Sequence, residues 1–122
     1  MSDATSNVEE SEDEATVNDS QVVRLFGGDT VGAEAIISGT MLAYRQDWGR
    51  KKGIHTLRLN WGEIDVDSLV LAAVKEGPFV GSAHYLLYNV APRRGGVDIR
   101  VHVNWDTPLP LLVDYFAILR SL

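Results

Sequence analysis

The stretch Val97-Asp98-Ile99-Arg100-Val101-His102-Val103-Asn104-Trp105 alternates apolar and polar residues without an error. A period of two marks a strand with one face on a core and the other toward water. Val97, Ile99, Val101, Val103 and Trp105 therefore share the buried face. Upstream, residues 82–91 are rich in strand formers, and Pro92-Arg93-Arg94-Gly95-Gly96 supplies a reversal whose glycines are free to take positive φ. A two-residue loop at Arg94-Gly95 sets Val90 opposite Ile99, Tyr88 opposite Val101, Leu86 opposite Val103 and His84 opposite Trp105. A three-residue loop would move a whole row of side chains to the wrong face.

The remaining segments read less sharply. Residues 36–46 and 54–61 predict a second β-pair joined by 47–53, although 33–45 also fits a helix capped by Asp29 or Thr30, with Gly39 against it. One helix is predicted after Asp65 or Asp67: Val66, Leu69, Val70, Ala73 and Val74 form a stripe that Gly77-Pro78 ends. Pro108 and Pro110 precede a last strand over 111–119, and residues 21–26 suit an edge strand. The predicted fold class is mainly β (a β-rich α+β chain), an antiparallel sandwich or open barrel of about six strands with one short helix.

Charge divides the chain. Of its 17 acidic residues, seven (Asp3, Glu9, Glu10, Glu12, Asp13, Glu14 and Asp19) fall in residues 1–20, which hold no Lys, Arg or aromatic residue. Such a segment buries too little apolar surface to offset the entropy of ordering it, so it reads as a disordered acidic tail on a single β-rich domain over 21–122. Removing those seven leaves ten acids against 11 bases, a near-neutral body inside a chain of net charge −6. The tail reads as a solubilising extension, as a kinase target at Ser11 ahead of Glu12-Asp13-Glu14, or as a segment that docks on basic loops of the body.

With no cysteine in 122 residues, the sequence excludes a disulfide-stapled miniprotein, a zinc finger, an iron–sulfur carrier and a thiol enzyme. The first twenty residues lack the basic start and apolar run of a leader, and no window suits a membrane span. The expectation is an intracellular, cytoplasmic protein that does not associate with membranes.

Two surfaces carry candidate chemistry. The face opposite the apolar row displays Tyr85, Leu87 and Asn89 beside Asp98, Arg100, His102 and Asn104, a mixture suited to a small polar or anionic ligand. Polarity alone has a simpler cause, since the solvated side of an antiparallel sheet requires it. His102 with Asp98 or Asp106 supplies a base and an orienting acid, but no nucleophile motif accompanies them. His84 and His55 lie elsewhere, so no metal and no cofactor is expected.

The second surface is a pair of loop tips, Arg50-Lys51-Lys52 and Arg93-Arg94, with Trp48 nearby for stacking. Brought to one end of the sheet, they would contact an anion or nucleic acid weakly. Finally, residues 109–119 are apolar on both strand faces apart from Asp114, which fits either a strand buried on both faces or an exposed surface that pairs with another subunit; two-sided burial is hard to supply within a small domain, which favours the second. The reading is a non-catalytic binding or assembly module, a homo-oligomer or the partner of another protein, that self-associates through its C-terminal strand. The alternative is a ligand-binding protein or enzyme built on the face around Arg100 and His102.

Overall fold

The alternating segment forms strand β7 (Gly96–Asn104), hydrogen-bonded to β6 (His84–Arg93) through a reversal at Arg94-Gly95 in which Gly95 takes a φ of 86°. The computed structural model describes residues 10–27 and 39–119. Its other strands are β1 (Glu10–Thr16), β2 (Val23–Gly27), β3 (Gly39–Lys51), β4 (Gly53–Asn60), β5 (Leu69–Lys75) and β8 (Leu109–Ile118). They make two four-stranded sheets, ordered β1-β4-β7-β6 and β2-β3-β8-β5. The fold is a β-rich sandwich.

Alternation decides what lies between the sheets. Leu57 and Leu59 of β4 and Val97, Ile99, Val101 and Val103 of β7 point inward from the first sheet, against Leu42, Tyr44, Trp48, Leu111, Val113, Tyr115 and Ala117 of the second. Each such side chain is worth roughly 1.5–3 kcal/mol when fully buried. The core thus rests on the two central strands of each sheet. The Trp48 Nε1 donates to the Tyr115 hydroxyl (3.3 Å), satisfying a polar group that burial would otherwise penalise.

Several expectations are corrected. Within the described residues the segments at 39–46 and 54–61 do not pair with each other: β3 pairs with β8 and β4 with β7, and the chain passes from one sheet to the other at Lys52. Trp48 is consequently a core residue and not a loop-tip aromatic. Residues 39–45 are strand, whereas 33–38, with the caps Asp29 and Thr30, lie outside the described residues. The helix after Asp65 is a turn followed by β5. The Asp65 N–H donates to Ser68 Oγ, the Ser68 N–H returns to the Asp65 carbonyl, and Val70, Ala72 and Val74 then alternate inward. A stripe of apolar residues satisfies the helical period because both faces of this strand are apolar.

The expected tail also differs. Residues 1–9 lie outside the described set, but Glu10–Thr16 form β1, parallel to β4 from Glu10↔Ile54 to Thr16↔Asn60. A single 3-10 turn at Asp19–Gln21, capped by the Asn18 side chain on the Ser20 N–H (3.1 Å), leads into β2. An acidic segment can be ordered when an edge with cations receives it, which composition alone does not reveal.

Candidate functional site

The register of β6 against β7 places the predicted ligand residues. Val90↔Ile99 holds as expected, but β6 bulges at Tyr88, so that Leu87 faces Val101, Leu86 faces His102, Tyr85 faces Val103 and His84 faces Asn104. One extra residue inverts everything before it. Asn89, Asp98, Arg100, His102 and Asn104 do share the outer face of the first sheet. Tyr85 does not: it turns toward the core, where its hydroxyl donates to the Pro110 carbonyl (2.8 Å). Desolvation pushes the Tyr85 phenol up to about 12. Tyr88 replaces it outside, with its hydroxyl 3.2 Å from His102 Nδ1 and the two rings 6.3 Å apart. Trp105 leaves the apolar row and is 43% exposed.

This outer face is committed to internal contacts at one end. Asp98 accepts from Arg93 Nε (3.0 Å) and from Arg58 (3.3 Å), while the other arm of Arg93 reaches Asn60 Oδ1 (2.9 Å). Beyond it, Thr56, Tyr88, Asn89, Ala91 and Arg100 line an open depression of about 390 Å³. Among the described residues, no three His, Asp or Glu side chains gather as metal ligands. No helix among them is long and apolar enough to cross a membrane.

The basic tips do not form one rim. Gly53 pairs with Val103 and Asn60 with Gly96, so Lys52 and Arg94 lie beyond opposite ends of a β4–β7 ladder about 23 Å long at 3.3 Å per residue. Arg93 is bound into the turn, Lys52 donates to the Asp106 carbonyl (3.0 Å), and Lys51 meets Asp13 at 3.4 Å. Arg50 and Arg94 are exposed.

A cluster not anticipated from the sequence lies where β1 meets β4. Ser11 Oγ is 2.6 Å and Asp13 Oδ2 is 3.2 Å from the Nδ1 of His55. His55 Nε2 donates to the Lys52 carbonyl (2.7 Å), since a carbonyl can only accept. A hydrolytic relay requires the nucleophile and the acid on opposite ring nitrogens. Here both share Nδ1 and the other nitrogen is sealed by backbone. The cluster therefore fastens β1 and is not a catalytic triad. Reading residues 1–20 as a tail hides it.

The outer face of the second sheet is the unusual surface. Val23 and Leu25 on β2 are 59% and 54% exposed, and Leu71 on β5 is 58% exposed. Between them Ala43, Ala73 and Phe116 floor a groove of about 540 Å³. Antiparallel sheets normally turn polar residues to water. At one end Asp114 sits between Arg45 (2.6 Å) and Lys75 (2.8 Å). The β8 strand itself is central, between β3 and β5, so both its hydrogen-bonding edges are occupied and only its outward side chains face solvent.

The Arg45 hydrogen bond, joined by Lys75, holds the Asp114 carboxyl down at about 2. A carboxyl depressed in the folded state stabilises above its unfolded value of about 3.9, and that stabilisation disappears as pH falls through the folded value. Asp114→Asn is thus expected to be less stable than wild type at pH 7, with the gap closing between about pH 4 and pH 2. Urea unfolding at pH 7, 4 and 2 checks this; a gap of constant size would refute it.

Comparisons with protein-family models, curated proteins and solved structures found no match.

Proposed function

We propose that this chain is a non-catalytic assembly module that self-associates through the outer face of its second sheet. The observation that carries the reading is the exposed apolar surface of Val23, Leu25 and Leu71 around half-buried Phe116, on a sheet face that water alone would select to be polar. The C-terminal strand contributes through Phe116 and not through its hydrogen-bonding edge.

A second copy is the occupant that suits this face. The same surface offers protruding Leu71 and Val23 and a recess floored by alanines, the knob and hole that an isologous two-fold contact needs. It also carries both signs of charge at one end, Asp114 with Arg45 and Lys75, so it is complementary to itself. At about 4.8 Å between strands and 3.3 Å per residue, the five residues of β2 and about seven each of β3, β8 and β5 project about 410 Å², or about 820 Å² over two copies. Side-chain relief brings that toward the roughly 1,200 Å² at which specific interfaces begin.

Leu71 lies on an edge strand and is well exposed, so Leu71→Lys is expected to leave folding intact. It should weaken self-association about thirtyfold, corresponding to a loss of about 2 kcal/mol at an interface centre. Sedimentation equilibrium of both proteins measures this. A wild-type chain that stays monomeric at its highest attainable concentration would overturn the reading.

A further inference from the structure

We propose that β1 is an exchangeable strand: the edge of β4 that receives residues 10–16 of its own chain also receives the same residues of a second copy. Neither the apolar face nor the association assigned to it enters this inference.

The β1–β4 ladder is the only parallel one among the described strand pairs. Its hold on the body is polar. Ser11 and Asp13 reach His55, Asp13 reaches Lys51, and Asn60 Nδ2 donates to Glu14 at 2.7 Å. The exposed contacts of Ser11 and Glu14 are each worth little in water, typically below about 1 kcal/mol, and the part-buried contacts of Asp13 are polar ones that the same residue of another copy would remake unchanged. Apolar packing from the segment comes chiefly from Ala15 and from Val17 just beyond the strand. By contrast β4 and β7 hold their places with fully buried leucines, valines and isoleucine. The departure of β1 therefore withdraws Ala15 and at most Val17 and leaves the buried residues of β4 and β7 in place.

Once it leaves, β4 presents an unpaired edge flanked by Lys51 and His55. Bare edges recruit strands, and the main-chain ladder accepts any extended segment. The charges choose among them: Asp13 must meet Lys51 and His55 while Glu14 meets Asn60. Residues 10–16 of another copy carry that pattern in the same order. The stretch from Val17 to Val22, with its one 3-10 turn, joins β1 to the opposite sheet and serves as the hinge. Exchange of an identical element rebuilds the same ladder and the same ion pairs between two chains. Its net cost is confined to the hinge and to giving up the high local concentration of the tethered strand.

The absence of native cysteine makes the test direct. Glu12 and Thr56 are register partners on the solvent side of the ladder, and replacing them leaves Ser11, Asp13, Lys51 and His55 in place. Neighbouring strands lie about 4.8 Å apart, within the Cα separation a disulfide spans. Full-length Glu12→Cys is mixed with full-length Thr56→Cys under mild oxidation. The expected result is a covalent heterodimer at least about tenfold above that from Glu12→Cys mixed with Ser82→Cys, whose cysteine reports random collision. Adding Asp13→Lys to the Glu12→Cys chain should abolish the excess by setting like charges against Lys51. Leu71→Lys in both chains should leave it, separating this exchange from association through the apolar face.

Two outcomes overturn the proposal. In one, heterodimer remains at the collision level while Glu12→Cys/Thr56→Cys in one chain closes its own disulfide. In the other the double variant fails to close, which removes the β1–β4 register on which the exchange depends.

Discussion

Trp61→Ala is expected to cost about 3–5 kcal/mol, the usual loss for truncating a fully buried aromatic. Against a total of about 5–15 kcal/mol for a domain, that leaves a protein near its unfolding threshold. Trp61 follows β4 directly, its ring 5.8 Å from that of Tyr44 and tilted by 55°. Its backbone ties two loops together: the N–H donates to the Gly95 carbonyl (2.8 Å), and its carbonyl accepts from Ile64 (3.0 Å). The indole Nε1 is buried with no hydrogen-bond partner among the described residues. An orphaned buried donor costs about 1–3 kcal/mol. Trp61→Phe removes that penalty along with some packing area, so it should lose far less than Trp61→Ala. Urea unfolding of the two variants decides the matter; equal losses would show that the indole N–H is satisfied in solution.

Gly96→Ala is expected to destabilise by about 2–3 kcal/mol, at the upper end of ordinary overpacking. A Cβ at Gly96 would run into the Leu59 carbonyl of the neighbouring strand and the guanidinium of Arg93. The carbonyl is backbone and cannot swing aside, and Arg93 is already fixed on Asp98 and Asn60. Relief requires β4 and β7 to separate at this end of their ladder. Gly62→Ala is the control, since a Cβ there meets nothing within 4 Å. Thermal unfolding should show a fall on the order of 10 °C for Gly96→Ala, with Gly62→Ala nearly unchanged. Matching midpoints would refute the clash.

The legibility of the chain follows the contrast between its two faces. Residues 97–103 can be placed because valine and isoleucine face a core while charged partners face water, and their inward phase is as expected. Residues 69–75 mislead because Leu69, Val70, Leu71, Ala72, Ala73 and Val74 offer no contrast, so periods of 2 and 3.6 fit equally well. That same lack of contrast is the signature of the apolar outer face. The bulge at Tyr88 has no local signal, and it alone exchanges Tyr85 for Tyr88 beside His102. Residues 10–16 look unfoldable because the partners that order them, Lys51 at the end of β3 and His55 in β4, lie about forty positions away, and only the assembled fold reveals what sits beside them.

The placement of β8 between β3 and β5 sets the timing of folding. Neither β3 nor β5 has a neighbour on that side until residues 109–118 have been synthesised, and the Met41↔Ile118 pairing closes a long loop. Chains dominated by such non-local pairing fold in milliseconds to seconds. Until β8 arrives, Leu42, Tyr44 and Val70 have no sheet to share. A nascent chain in that state is the form most in need of a chaperone, and its half-made sheet exposes the side chains that drive aggregation.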